Sequence, residues 1–226
     1  MAPCMICAQT RSSAPPVGEL LLRINSTQAG KHRIVPAVIW LEPLAGAPGL
    51  PFSSARRYTL LQKNRKFIPH LQVIPVGTVV QFPNADPFFH NVFSLFDGKR
   101  FDLGLYEAGS SKSVTFSREG VSYIFCDIHP EMSAVVLALS TPLYAVADAD
   151  DSFVLRDVPL GDYNLHLWVE GVPRNLVDGL TRLVHLPAQT VDLGTLNVPT
   201  MSSGMEHHQD KFGNAYDPHS KSPYGP

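Results

Sequence analysis

Phe125-Cys126-Asp127-Ile128-His129-Pro130-Glu131-Met132 puts a thiol, an imidazole and a thioether on one short segment, in a Cys-x2-His-x2-Met run. Val121-Ser122-Tyr123-Ile124-Phe125 leads into it and Ser133 to Leu139 leads out as a continuous apolar stretch, so the run reads as a loop between two strands. A second imidazole stands upstream in Phe88-Phe89-His90-Asn91-Val92. One thiolate, two imidazoles and a distant thioether form the ligand set of a mononuclear electron-transfer copper centre, and few other metals favour that mixture. His90, Cys126, His129 and Met132 are therefore the candidate metal ligands. Taken singly, a Cys or a Met is an ordinary core residue. Their spacing on one strand-bounded loop, with His90 upstream, is what points to copper.

Around this loop the chain reads as short strands joined by turns. Phe67 to Ile74 is extended, Pro75-Val76-Gly77 makes a turn, and Thr78, Val80 and Phe82 alternate with Val79 and Gln81. A turn at Asp97-Gly98 and a long loop from Gly104 to Ser111 are expected next, then a strand carrying Val114 and Phe116 and a turn at Arg118-Glu119-Gly120. Two strands feeding the ligand loop bring Cys126, His129 and Met132 to one end of a sandwich, where His90 joins them from a neighbouring strand.

Residues from about 60 to 140 resemble a cupredoxin, a blue copper protein of the plastocyanin and amicyanin type. The resemblance is carried by Phe82-Pro83-Asn84, His90-Asn91-Val92, Phe116 with Gly120-Val121-Ser122-Tyr123, and the ligand loop. It implies a Greek-key sandwich with His90, Cys126 and His129 near the plane of one type 1 copper and Met132 axial. It also implies that Asn91 ties the His90 strand to the Cys126 loop, and that His129 is the gate for electrons. The stretch from Leu95 to Ser111 departs from the family pattern.

Beyond Asp148 the chain alternates again. Phe153 and Leu155 face one way, as do Tyr163, Leu165 and Leu167 after a turn at Pro159 to Gly161. This segment is similar to the carboxypeptidase regulatory-like, transthyretin-like sandwiches, with Asp151 where those have a glycine. Gly18 to Ile24 and Val35 to Glu42 read as two further strands of the same kind. The organisation expected is all-β: a leader remnant or loose end over 1–16, first strands of the outer sandwich over 17–56, a cupredoxin domain over 57–141, the rest of the outer sandwich over 142–199, and a polar tail over 200–226. Arg182 to Leu186 and Val191 to Val198 supply its last strands, and Leu176, Leu180 and Leu183 carry a faint helical period.

Composition narrows the function. At 226 residues the chain can bury two cores, and 44% hydrophobic against 17% charged residues is globular. A net charge of -2 offers no basic field for nucleic acid. No apolar run is long enough to span a membrane. Cys4 and Cys7 form a Cys-x2-Cys pair with no partners for zinc, which reads as part of a leader. No His-x-His pair is present to build a second copper centre, so an oxidase or nitrite reductase is not expected. His70 reads as a hydrogen-bonded structural residue, His166 and His185 as solvent-facing, and Asp127 and Glu131 as a solvated rim. The expectation is a non-enzymatic carrier of single electrons between redox partner proteins, periplasmic or otherwise exported, of unknown oligomeric state. A copper-delivery protein using the same loop, helped by Met201, Met205, His207 and His208, is the alternative, and a copper-free interaction module is a third.

Overall fold

The structure is a computed structural model that describes residues 16–25, 27–28, 31–32, 35–44, 50–95, 98–198 and 210–214. Cys4, Cys7, Met201, Met205, His207 and His208 lie outside the described residues. Nearly every regular element is a strand, and the described helix is the five-residue Arg174–Asp178. The fold is all-β.

One sandwich carries the candidate ligands. Its larger sheet runs Phe101–Tyr106, His90–Ser94, Gly120–Phe125, Ser133–Leu139 and Leu71–Pro75 in spatial order. Its smaller sheet runs Ser111–Phe116, Thr78–Pro83 and Tyr58–Thr59, with the hairpin Leu61–Lys63 and Lys66–Ile68 alongside. Alternate side chains of Thr78–Pro83 point inward, so Val80 and Phe82 meet Val114 and Phe116 opposite Ile124, Ala134 and Val136. Gly120–Phe125 pairs antiparallel with Ser133–Leu139, with Phe125 opposite Ser133, so the ligand loop is the connection of a hairpin.

The other sandwich is assembled from both ends of the chain. Ser152–Pro159, Val17–Asn25 and Thr190–Asn197 form one sheet. Tyr144–Val146, Ala37–Pro43, Gly161–Val169 and Arg182–Leu186 form the other. Leu20, Leu22, Ile24, Phe153 and Leu155 pack from the first against Ile39, Leu41, Tyr163, Leu165 and Leu167 of the second.

The two cores meet across one strand. In Ser133–Leu139 the residues Ala134, Val136 and Ala138 face the first core, while Val135, Leu137 and Leu139 face a separate apolar cluster with Val38, Val73 and Trp168. A strand covered on both faces has no polar side, which is why this segment is continuously apolar rather than alternating. Fully burying one such Val or Leu is worth about 1.5–3 kcal/mol, so this second face is a substantial glue between the sandwiches.

Two sequence expectations are corrected. The stretch after Asp97-Gly98 is not a long loop, because Phe101–Tyr106 pairs with His90–Ser94. Phe101 and Leu103 turn toward the core, then Gly104 at φ +63 shifts the alternation by one and Tyr106 turns inward instead of Leu105. That break in period hides the strand from a period-2 reading. Of the helical period through Leu176, Leu180 and Leu183 only Leu176 lies in a helix: the helix ends at Asp178, Leu180 follows in the turn after Gly179, and Leu183 pairs with Asn164 as a strand residue.

Candidate metal centre

His90 opens its strand, Cys126 follows the end of Gly120–Phe125, and His129 sits in the loop after it. The neighbouring strands are in register there, with Phe93 opposite Phe125, which carries His90 and Cys126 to the same end of the sheet. The loop closes on itself through Cys126 N–H to the carbonyl of Met132 at 3.1 Å and Met132 N–H to the carbonyl of His129 at 3.0 Å. Sγ of Cys126 lies 3.4 Å from Nδ1 of His129 and 3.6 Å from Nδ1 of His90. One donor atom from each of the three residues falls within 4.8 Å of the others, and all three residues are buried. Met132 is fully buried in the same core cluster as Cys126.

Burial sets the protonation of this cluster. It pushes the Cys126 thiol up to about 11, against the backbone N–H groups of Ile128, Asn91 and His129 that favour the thiolate. Burial also brings His129 down to about 4, helped by the nearby His90, and lowers His90 against the pull of Asp86. Without metal the site is a neutral thiol between two neutral imidazoles at pH 7. Such a set can take a cation by losing one proton.

No protein-family model matches this chain. No curated protein matches it. Among solved structures the chain is similar to the novel purple cupredoxin from Nitrosopumilus maritimus, at 27% identity over 36% of this chain and 96% of that one, with a TM-score of 0.32. It is similar to the copper-containing nitrite reductase of Thermus scotoductus SA-01, at 26% identity over 43% of this chain and 25% of that one, with a TM-score of 0.36. It is also similar to the reduced state of an amicyanin mutant, at 21% identity over 41% of this chain and 94% of that one, with a TM-score of 0.34. This chain therefore spans a quarter of the nitrite reductase it matches.

The surroundings of the cluster are partly aromatic and partly charged. Phe88 packs its ring 5.3 Å from that of His90 and 5.5 Å from that of His129, and the Arg65 guanidinium lies 5.4 Å over its outer face. Phe93 packs on Phe125 at 5.9 Å behind the loop, whereas Phe89 is 42% exposed. Asn91 donates its side-chain N–H to Asp102 at 2.8 Å, and its backbone N–H faces the Cys126 sulfur. Asp102 in turn accepts from Lys211 Nζ at 3.1 Å, and Lys211 N–H donates to Asp127 at 3.0 Å.

Other residues singled out in the sequence lie elsewhere. His70 holds Glu170 through Nε2 at 2.7 Å and the carbonyl of Ser133 through Nδ1 at 3.1 Å, which makes it a tie between the sandwiches. His166 does not simply face solvent, because it stacks on Trp40 at 5.2 Å and bonds Glu42 at 3.0 Å. His185 is exposed and pairs with Asp162. Glu131 lies on the exposed rim, whereas Asp127 is mostly covered where Lys211 meets it.

Sequence reasoning missed Asp86, whose carboxylate accepts from His90 Nε2 at 2.9 Å. An acid four residues before a candidate ligand, in a Pro- and Asn-rich loop, was the available signal. It also missed Lys211, which is separated from Asp127 by most of the outer sandwich in sequence and has no local pattern.

Proposed function

We propose that His90, Cys126, His129 and Met132 would hold one type 1 copper in this protein, which carries single electrons between redox partner proteins. The observation that carries the reading is the convergence of one thiol and a ring nitrogen from each of two imidazoles inside 4.8 Å, with both Nδ1 atoms within 3.6 Å of the sulfur, buried and fixed by a backbone-bonded loop. The donor chemistry fits copper: a thiolate and two imidazoles with a thioether nearby suit its two oxidation states. Bound there, copper supplies a one-electron couple between Cu(II) and Cu(I).

The rest falls to the chain. Two bonded strands and the closed loop hold the donors in place, so little reorganisation accompanies a change of charge. Phe82, Val92 and Phe116, which share a core with Cys126 and Met132, exclude water from the sulfur side, Phe88 packs on both imidazole rings, and His129 is the ligand nearest the loop surface. Phe89 and Leu105, both more than two-fifths exposed next to His90 and Asn91, give an apolar rim on which a partner can dock. Asn91 acts through its contacts with Asp102 and Cys126. The flanking sandwich, read as transthyretin-like, braces the metal-bearing one from residues 17–56 and 142–199. Among the described residues no helix is long and apolar enough to cross a membrane. An exported location suits a copper protein of this kind, and electron carriage rather than turnover suits a site whose three donor residues are all buried.

The test is an optical and electron paramagnetic resonance spectrum of the full chain loaded with Cu(II) and then reduced. An intense thiolate-to-copper band with narrow copper hyperfine splitting, bleached reversibly on reduction, is the expected result. A colourless protein that exchanges copper quickly would overturn the electron-carrier reading in favour of metal delivery.

A further inference from the structure

Asp86 is a carboxylate at 4% exposure whose oxygens accept three N–H groups. Oδ1 takes the backbone N–H of Asn64 at 2.6 Å, and Oδ2 takes that of Arg65 at 3.0 Å and Nε2–H of His90 at 2.9 Å. Burying a charge is tolerated only when it is bonded this fully. The two backbone donors belong to the turn between Leu61–Lys63 and Lys66–Ile68, where Asn64 and Arg65 both sit at φ +55. That left-handed region is unusual for an arginine, and it aims two successive amides at one point as an anion-binding nest does. Here the anion in the nest is a side chain of the protein itself. The Asp86 backbone is fixed as well, since its N–H donates to Asn84 Oδ1 at 3.0 Å while Asn84 Nδ2 donates to the carbonyl of Phe88 at 2.8 Å.

We infer that Asp86, clamped by the Asn64-Arg65 turn, is a positioning residue that fixes His90 as its Nε2–H tautomer and biases the bound copper toward its oxidised state. The second half rests on the copper reading above. A carboxylate only accepts, so the proton must lie on Nε2, which leaves the Nδ1 lone pair facing Cys126. A fixed negative charge behind the ring also favours Cu(II) over Cu(I), because the extra positive charge gains more from it. The turn completes the device: without two amides behind it, the buried carboxylate would have no reason to stay ionised and aimed.

Asp86→Asn tests this in the full chain. An asparagine cannot serve all three donors: with its oxygen in the Oδ2 place it keeps Arg65 and His90 but turns its NH2 on the Asn64 amide, and reversed it turns its NH2 on Arg65 and Nε2; in either case the charge is gone and the acceptor for Nε2–H is weaker. The first readout is the nitrogen-15 spectrum of the His90 ring in metal-free protein, expected as Nε2–H in the wild type and shifted toward Nδ1–H in the variant. The second is copper affinity and reduction potential. Cu(II) binding should weaken about 10–100-fold. The potential should rise by about 59 mV for each tenfold by which the Cu(II) loss exceeds the Cu(I) loss. Asp86→Glu, which keeps the charge, should move both readouts back toward the wild type.

A wild-type His90 with its proton on Nδ1 overturns the inference even if Asp86→Asn does not fold. So does an unchanged potential in a folded, blue Asp86→Asn. A wild-type protein that shows the Nε2–H tautomer but no thiolate-to-copper band overturns the copper reading alone, and leaves the role of Asp86 in orienting His90 standing.

Discussion

Trp168 of the outer sandwich donates its indole N–H to the hydroxyl of Tyr123 at 3.3 Å, on the strand that ends just before Cys126. Around that bond lie Val38, Val73, Val135, Leu137 and Leu139, the cluster shared by the two sandwiches. With a common core, neither sandwich keeps its apolar face covered once the other has opened. Unfolding in urea should therefore be one transition, with tryptophan fluorescence and the copper band lost together. Trp168→Phe and Tyr123→Phe should each destabilise the protein, and the double-mutant cycle should give a coupling of about 0.5–1.5 kcal/mol. Two separate transitions would show that the cluster does not join the cores.

His70 gives the same interface a pH dependence. Both of its ring nitrogens face acceptors, Glu170 and the carbonyl of Ser133, so the charged imidazolium is the form that satisfies both. The hydrogen bond to Glu170 is the main cause that raises His70 above its ordinary 6.5, with burial opposing it. Its contribution to stability is thus complete below about pH 6.5 and is lost as pH rises through the raised value. The side chain is partly exposed, so the effect is that of a screened pair, about 0.2–1 kcal/mol. Between pH 6 and pH 9 the wild type should lose that much more stability than His70→Ala. Equal losses in urea titrations at the two pH values would remove His70 from the interface.

How much of this could be read from residues alone follows the range of each signal. The meeting of Cys126 and His129 was legible because they stand three residues apart on one loop between two strand patterns. Ser133 to Leu139 announced a strand buried on both sides by having no polar alternation. The strand at Phe101–Tyr106 was lost to a single shift of phase at Gly104. Contacts made by polar groups far apart in sequence left no pattern at all: Trp168 with Tyr123, His70 with Glu170, and Lys211 with Asp102 each join separate elements. Periodicity reports which face a strand buries, but not which distant partner meets it.

The protonation of the metal-free cluster gives a prediction about loading. With Cys126 held near 11 by burial and His129 near 4, metal uptake at pH 7 must expel the thiol proton and no other. Calorimetry in buffers of different ionisation enthalpy should show about one proton released per copper. Cys126→Ser should release none and lack the intense visible band. A variant that keeps the band would remove Cys126 from the ligand set.

Lys211 joins the two acidic groups that flank the cluster. Its backbone N–H holds Asp127, next to Cys126, and its ammonium holds Asp102, which accepts from Asn91, next to His90. The ammonium also lies 3.8 Å from the second oxygen of Asp127. Lys211→Met keeps the backbone bond and most of the apolar stem but leaves both carboxylates without their cation. Stability should fall by only about 0.2–1 kcal/mol, since the pairs are partly solvated. The electrostatic effect on the metal should be clearer: two uncompensated negative charges near the ligand loop favour Cu(II), so the reduction potential should drop. Raising ionic strength should shrink that drop, because screening at 1 M salt acts within about 3 Å. A potential that is unchanged in Lys211→Met at low salt would mean that the segment 210–214 touches the loop without acting on the metal.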